Sequence, residues 1–158
     1  MTKKHNYQAT IEWTGNKGEG TSDYKSYERS HSININGKSV IEASSDPSFR
    51  GDPSKHNPEE LFLASLSSCH MLWFLHLCTV AGVIVTDYVD KALGTMLEEK
   101  DGKGRFTEVI LNPEVTVTEE RMATKLDSIH QKANKMCFIA NSCNFPVRHH
   151  SSYKVASE

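Results

Sequence analysis

The chemistry available to this chain centres on a cysteine at the end of an apolar run. Cys69 closes Asn57-Pro58-Glu59-Glu60-Leu61-Phe62-Leu63-Ala64-Ser65-Leu66-Ser67-Ser68-Cys69, and no Asp, Glu, Lys or Arg occurs from Leu61 to Thr86. A thiol in such a helix is either inert packing or a redox centre. Three more cysteines follow, Cys78, Cys137 and Cys143. Cys78 cannot pair with Cys69, because nine residues on one helix is a rise of about 13.5 Å, beyond the reach of a disulfide; it reads as core packing. A reactive Cys69 must be a thiolate, yet a free cysteine with a pKa of about 8.5 is mostly protonated at neutral pH. The helix dipole fades within about one turn, and Cys69 lies about three turns from the helix start, so a cation has to be brought in from elsewhere.

Other chemistries fit less well. His70, His76, His130, His149 and His150 admit a metal or Cys-His nucleophile reading, but His70 and His76 are six apart, roughly 240° around a helix, and do not converge as an i, i+4 pair of metal ligands would. No Cys-x-x-Cys knuckle is present for zinc, so neither a metal nor a cofactor is expected. A cysteine hydrolase would need an oxyanion hole, and no glycine-rich strand-to-helix turn precedes Cys69. The 18 basic and 20 acidic side chains leave a net charge of −2 with no basic run beyond Lys3-Lys4, which argues against nucleic acid or an anionic membrane as partner. The uncharged stretch is long enough for a membrane span, but Ser65, Ser67, Ser68, His70, His76 and Thr79 make it too polar and no Lys/Arg cluster flanks it. It reads as a buried helix. Met1 to Gln8 has no apolar signal region, and a cytoplasmic location is expected.

The elements that must position Cys69 are read from pattern. Tyr7 to Trp13 and Tyr24 to Ile35 alternate as strands, and Asn36-Gly37 turns the chain into a third strand, Lys38 to Ser44. Asn57 is the N-cap and Pro58 the first residue of the helix, with Glu59 and Glu60 at the positive end of its dipole. Val83 to Leu97 and Phe106 to Val117 form two strands, with Asn112-Pro113 at an edge or bulge. Thr118 is expected to cap a second helix with Met122, Leu126, Ile129, Ala133, Met136 and Cys137 at helical spacing, and Phe145 to Val155 is a final strand. The class is α+β with mainly antiparallel sheet, in a single domain over residues 1–158. Short amphipathic sheets do not cover a helix that is apolar all round, so a second subunit is expected to supply the missing wall.

The block from Asn57 to Cys69 resembles the OsmC/Ohr superfamily, the osmotically inducible protein C and organic hydroperoxide resistance proteins. These carry Asn-Pro-Glu-[Glu/Gln]-Leu followed by a reactive cysteine ten residues after the first glutamate, the interval from Glu59 to Cys69. The resemblance implies antiparallel sheets wrapped around two long central helices in an intertwined homodimer. It implies a thiol-dependent peroxidase: the Cys69 thiolate attacks the distal oxygen of an organic hydroperoxide, the alcohol leaves, and the resulting sulfenic acid is resolved as a disulfide. The family's second cysteine matches Cys137, with Cys143 as alternative because the family's proline after that cysteine is missing here. Its activating arginine matches Arg29, with Arg50 as second choice, oriented by the motif glutamate, Glu59. The implied reductant is a lipoyl-type or thioredoxin-like dithiol. A straight helix keeps Glu59 about 15 Å from the Cys69 of its own chain, so the Glu59 near a given Cys69 is expected from the partner subunit.

Two rival readings remain at this level. One is a non-catalytic OsmC-like dimer that binds an apolar ligand or senses oxidation. The other is a zinc protein using Cys and His.

Overall fold

In the computed structural model, which describes residues 2–157, the contacts divide the chain into two compact units, residues 1–61 and 62–158. The first unit is a meander: β1 (Thr10–Trp13), β2 (His31–Asn34) and β3 (Ile41–Ala43) form an antiparallel sheet in sequence order. The strands are shorter than their alternation suggested. Residues Tyr24 to Ser30 are not strand, because Arg29 folds them back: its guanidinium lies 4.2 Å from the ring centroids of both Tyr24 and Tyr27 and donates to the carbonyls of Tyr24 (2.8 Å) and Tyr27 (2.7 Å). Carbonyls engaged by a guanidinium are lost to a ladder. Gly15 is required beneath this fold, since a Cβ there would sit 2.0 Å from the Glu28 carbonyl.

The long helix α1 (Pro58–Ala81) starts where expected. Asn57 Oδ1 accepts the Glu60 N–H at 2.8 Å and Glu60 Oε2 accepts the Asn57 N–H at 3.2 Å, so two otherwise unpaired donors are satisfied reciprocally. Gly82, at φ 67°, ends the helix and lets the Val83 N–H reach the Cys78 carbonyl at 2.9 Å. By length and composition α1 would suffice to cross a membrane; in the second unit it is instead a core helix on one face.

Two strands on either side of a turn were expected next, and each is split at the same level. β4 (Val85–Asp90) and β5 (Leu93–Glu98) face β7 (Pro113–Val117) and β6 (Gly104–Leu111). Asp90 fixes the break: its two carboxylate oxygens accept the Asn112 N–H at 2.7 Å and the Ser67 hydroxyl at 2.5 Å. Two sheets result, ordered β4-β7-β9 and β5-β6-β8. The expected final strand is likewise divided, into β8 (Val147–His149) and β9 (Ser152–Val155), and both pair parallel to their neighbours. These two sheets are therefore mixed, while the other strand pairings are antiparallel, in keeping with the expected α+β class of mainly antiparallel sheet.

The second helix is broken as well. α2 (Glu120–Ala123) and α3 (Leu126–Met136) are separated by a tight turn in which the Lys125 N–H reaches the Met122 carbonyl at 3.2 Å and the Thr124 hydroxyl takes the Arg121 carbonyl at 3.0 Å. Thr118 is not the cap; Glu119 holds that position without a side-chain bond, and the Thr118 hydroxyl lies against Met122 Sδ at 3.5 Å. Phe74, Leu77 and Cys78 of α1 pack with Leu126, Ile129 and Ala133 of α3 over Val115 and Val117. A second cluster gathers Leu66, Val109 and Leu111, flanked by Phe62, Phe106 and Phe145.

Candidate active site

α1 carries two rows of side chains. Leu66, His70, Phe74 and Leu77 recur at i, i+4, i+8 and i+11 and are buried. Beside them run Cys69, Leu72, Trp73 and His76, which with Phe138 line an apolar cavity of about 370 Å³. The Trp73 ring stands edge-on to Phe138 (centroids 5.6 Å) and to His76 (5.9 Å). Leu72 and Phe138 are 62% and 66% exposed, so the cavity is open on the outer face of the helix.

Cys137 comes to Cys69 from the end of α3. It is the C-cap residue, leaving the helix at ψ 113°, with its N–H bonded to the Ala133 carbonyl at 2.9 Å and its Sγ accepting the Ala140 N–H at 3.3 Å. Burial, and after it a hydrogen bond with the Cys69 side chain, pushes the Cys137 thiol up to about 11. The two cysteines are thus neighbours in one chain.

The other cysteines take separate places. Cys78 lies in the core, its thiol pushed up to about 11 by burial alone. Cys143 packs with the phenylalanine cluster and donates to the Ile139 carbonyl at 3.2 Å. All four are free thiols.

The three charged residues singled out from sequence, Arg29, Arg50 and Glu59, belong to the N-terminal unit. Arg29 is held by Tyr24 and Tyr27 as described, and with Lys17, Lys25, Arg50 and Asp52 it borders a polar cavity of about 330 Å³. Arg50 is strained at φ 64° after the turn that Asp46 caps, and its guanidinium lies 6.0 Å from the Tyr24 ring. Glu59 sits half-buried in the first turn of α1 and, among the described residues, makes neither a hydrogen bond nor an ion pair with Arg29. The geometry of the single chain therefore joins Cys69 to Cys137 and does not join Arg29 to Glu59.

Sequence reasoning set His70, His130 and His149 aside as metal or nucleophile candidates and did not foresee that they gather on the other face of α1. His70 Nε2 and His130 Nδ1 are 3.0 Å apart, with the rings parallel to within 4°. Phe74 stacks on His130 at 3.9 Å, and His149 of β8 lies 5.6 and 5.7 Å from the two rings. Burial, and the neighbouring imidazoles after it, lowers His70 to about 4 and His130 to about 3. The signal was present: His130 falls between Leu126 and Ala133 on the apolar stripe of α3, as His70 falls between Leu66 and Phe74 on α1. Testing His70 only against His76 overlooked a partner on another helix. Among the described residues no group of three or more His, Cys, Asp or Glu side chains is arranged to hold a metal ion.

The fold has counterparts among known proteins. The chain belongs to the OsmC-like protein family, whose model matches residues 51–151. It is similar to an OsmC-like protein of unknown function from Vibrio cholerae O1 biovar eltor, at 33% identity and a TM-score of 0.84, over 94% of this chain and 100% of that one. The fold is shared with an organic hydroperoxide resistance protein from Elizabethkingia anophelis (16% identity, TM-score 0.70, 99% of this chain and 100% of that one). It is shared too with one from Legionella pneumophila (16%, 0.69, 98% and 100%). Among curated proteins none matches.

Proposed function

We propose that this protein is a thiol-dependent peroxidase that reduces organic hydroperoxides to alcohols. The observation that carries the reading is the Cys69–Cys137 neighbourhood at the wall of an apolar cavity. The Cys69 thiolate attacks the distal peroxide oxygen and the O–O bond breaks. The alkoxide leaves and takes a proton, and Cys69 is left as sulfenic acid. Cys137 then displaces water from that sulfur to form a disulfide, and an external dithiol, lipoyl-type or thioredoxin-like, returns both thiols in the cytoplasm. A cavity walled by Leu72, Trp73 and Phe138 favours an alkyl or acyl tail over hydrogen peroxide.

Arg29 is the cation assigned to the thiolate and Glu59 its orienter, on the strength of the family motif. Arg29 has five donors and spends two on carbonyls, which leaves the remainder for another partner. The protein works as a homodimer: Leu72 and Val80 of α1 are 62% and 70% exposed, an apolar face that a second copy would cover. The partner's copy of Glu59 would then serve each Cys69.

Steady-state consumption of cumene hydroperoxide with dihydrolipoamide tests the reading. Many turnovers by the wild type and none by Cys69→Ser support it. A single stoichiometric oxidation that does not repeat with excess dithiol replaces it with a redox sensor. Mixing Glu59→Ala with Cys69→Ser chains tests the shared site, because only heterodimers would hold one intact set of residues. Continued inactivity despite proven subunit exchange returns Glu59 to its own chain.

A further inference from the structure

Two of the polar points at which α1 and α3 meet involve consecutive residues of α1. Cys69 meets Cys137 at the C-cap of α3. His70, which leaves α1 about 100° further round, meets His130 in the body of α3, seven residues and so about two turns before Cys137 on the same helical face. The rest of the contact is apolar, Phe74, Leu77 and Cys78 against Leu126, Ile129 and Ala133, apart from the exposed Lys125 ammonium at the far end of the pair, which donates to the Ala81 carbonyl at 2.9 Å.

The imidazole pair is poorly explained as packing. His70 and His130 are 1% and 0% exposed, and His70 Nδ1 and His130 Nε2 have no hydrogen-bond partner among the described residues. Each ring therefore buries a polar nitrogen without compensation, where leucine would fill the space at lower cost. What an apolar pair cannot supply is register. Apolar side chains tolerate sliding and rotation, whereas one buried directional bond fixes both, as a lone polar pair does in helical coils. The stacking of Phe74 on His130 and the tilt of His149 against both rings hold the pair in that geometry.

We propose that the His70–His130 hydrogen bond sets the approach of Cys69 to Cys137, so that both imidazoles are positioning residues for disulfide closure. The inference rests on the reading that Cys137 resolves Cys69. Neither imidazole touches the peroxide; each acts through the helix that carries its cysteine. The first chemical step, at the outer face of α1, should be insensitive to the pair, and the second, which needs two sulfurs at bonding distance, should depend on it.

The test separates these steps in the full-length protein. One equivalent of cumene hydroperoxide is added, samples are quenched with an alkylating agent, and intact mass follows the sulfenic acid and the disulfide in time. The informative variant is His70→Leu/His130→Leu, which fills the core and removes the bond. Sulfenic acid formation should stay within about twofold of wild type and disulfide closure should slow by about tenfold or more, the scale of loss that small misplacements cause. Overoxidised Cys69 should accumulate in the same samples. His130→Asn, which keeps a hydrogen-bonding atom near the Nδ1 position, should recover most of the closure rate. A Leu/Leu variant that closes at the wild-type rate overturns the proposal and leaves the peroxidase reading standing, as does His130→Asn closing no faster than His130→Ala. A wild type that forms no Cys69–Cys137 disulfide overturns both.

Discussion

Cys69 and His70 are adjacent on α1 and face different surroundings. The His70 row lies in a sealed core with Phe74 and Leu77, while the Cys69 row looks into an open apolar cavity and onto uncovered helix surface. The difference shows that apolar composition does two jobs in one helix. On the inner face it stabilises the fold, and there a polar group must be neutral or paired. On the outer face it leaves a surface that does little for the single chain and is available to substrate and partner.

Substitutions that act on one face only should sharpen this contrast. The largest effect is expected from Cys69→Ser, which should reduce peroxide turnover to background while urea unfolding stays close to wild type. Next, Phe74→Ala should cost about 3–5 kcal/mol of stability in urea titration, whereas Leu72→Ala should cost under about 1 kcal/mol and weaken self-association in sedimentation. Equal losses at both positions would erase the distinction between the faces.

Mild acid should act on the inner face through its buried imidazoles. His70 and His130 have folded-state values lowered to about 4 and about 3 from 6.5, so between those values and 6.5 the unfolded chain binds the protons. Stability should therefore be unaffected above about pH 6.5 and fall as pH drops toward 4, by up to about 1.4 kcal/mol per pH unit for each imidazole. His149, also lowered by burial, adds in the same direction, with Asp127 opposing it. Equilibrium unfolding at several pH values, repeated with His70→Leu/His130→Leu, would show the slope and its loss. The smallest contrast is at the helix starts. Asn57→Ala should cost about 1 kcal/mol, because a reciprocal cap is lost. Thr118→Ala should fall within about 0.5 kcal/mol, because that hydroxyl caps nothing.

Local chemistry was the most legible part of the sequence. Asn57-Pro58 and Gly82 bound α1 because caps and left-handed turns are written in single residues. Family spacing singled out Cys69 and Cys137, whose side chains are neighbours, while Cys143 donates to the Ile139 carbonyl. What escaped was set by residues far apart in the chain. Asn112-Pro113 marked the interruption of the second long strand, but the matching split of the first depends on Asp90 reaching Asn112 and Ser67, and the shortening of β2 depends on Arg29 finding two tyrosine rings. The histidine cluster draws on α1, α3 and β8, and no periodicity within one element reveals it.

The parallel strands β8 and β9 have a consequence for how the protein is made. Each completes its sheet by pairing with a strand 38 residues upstream, Val147 with Val109 and Ser152 with Glu114. On the ribosome the N-terminal meander can form as soon as it emerges, since its turns are local. The thiol-bearing unit has to wait, with β6 and β7 each lacking a neighbour, until the last of its strands has been synthesised. During that interval Cys69 and Cys137 are exposed on an unfinished scaffold, so premature oxidation during synthesis is a hazard built into this topology.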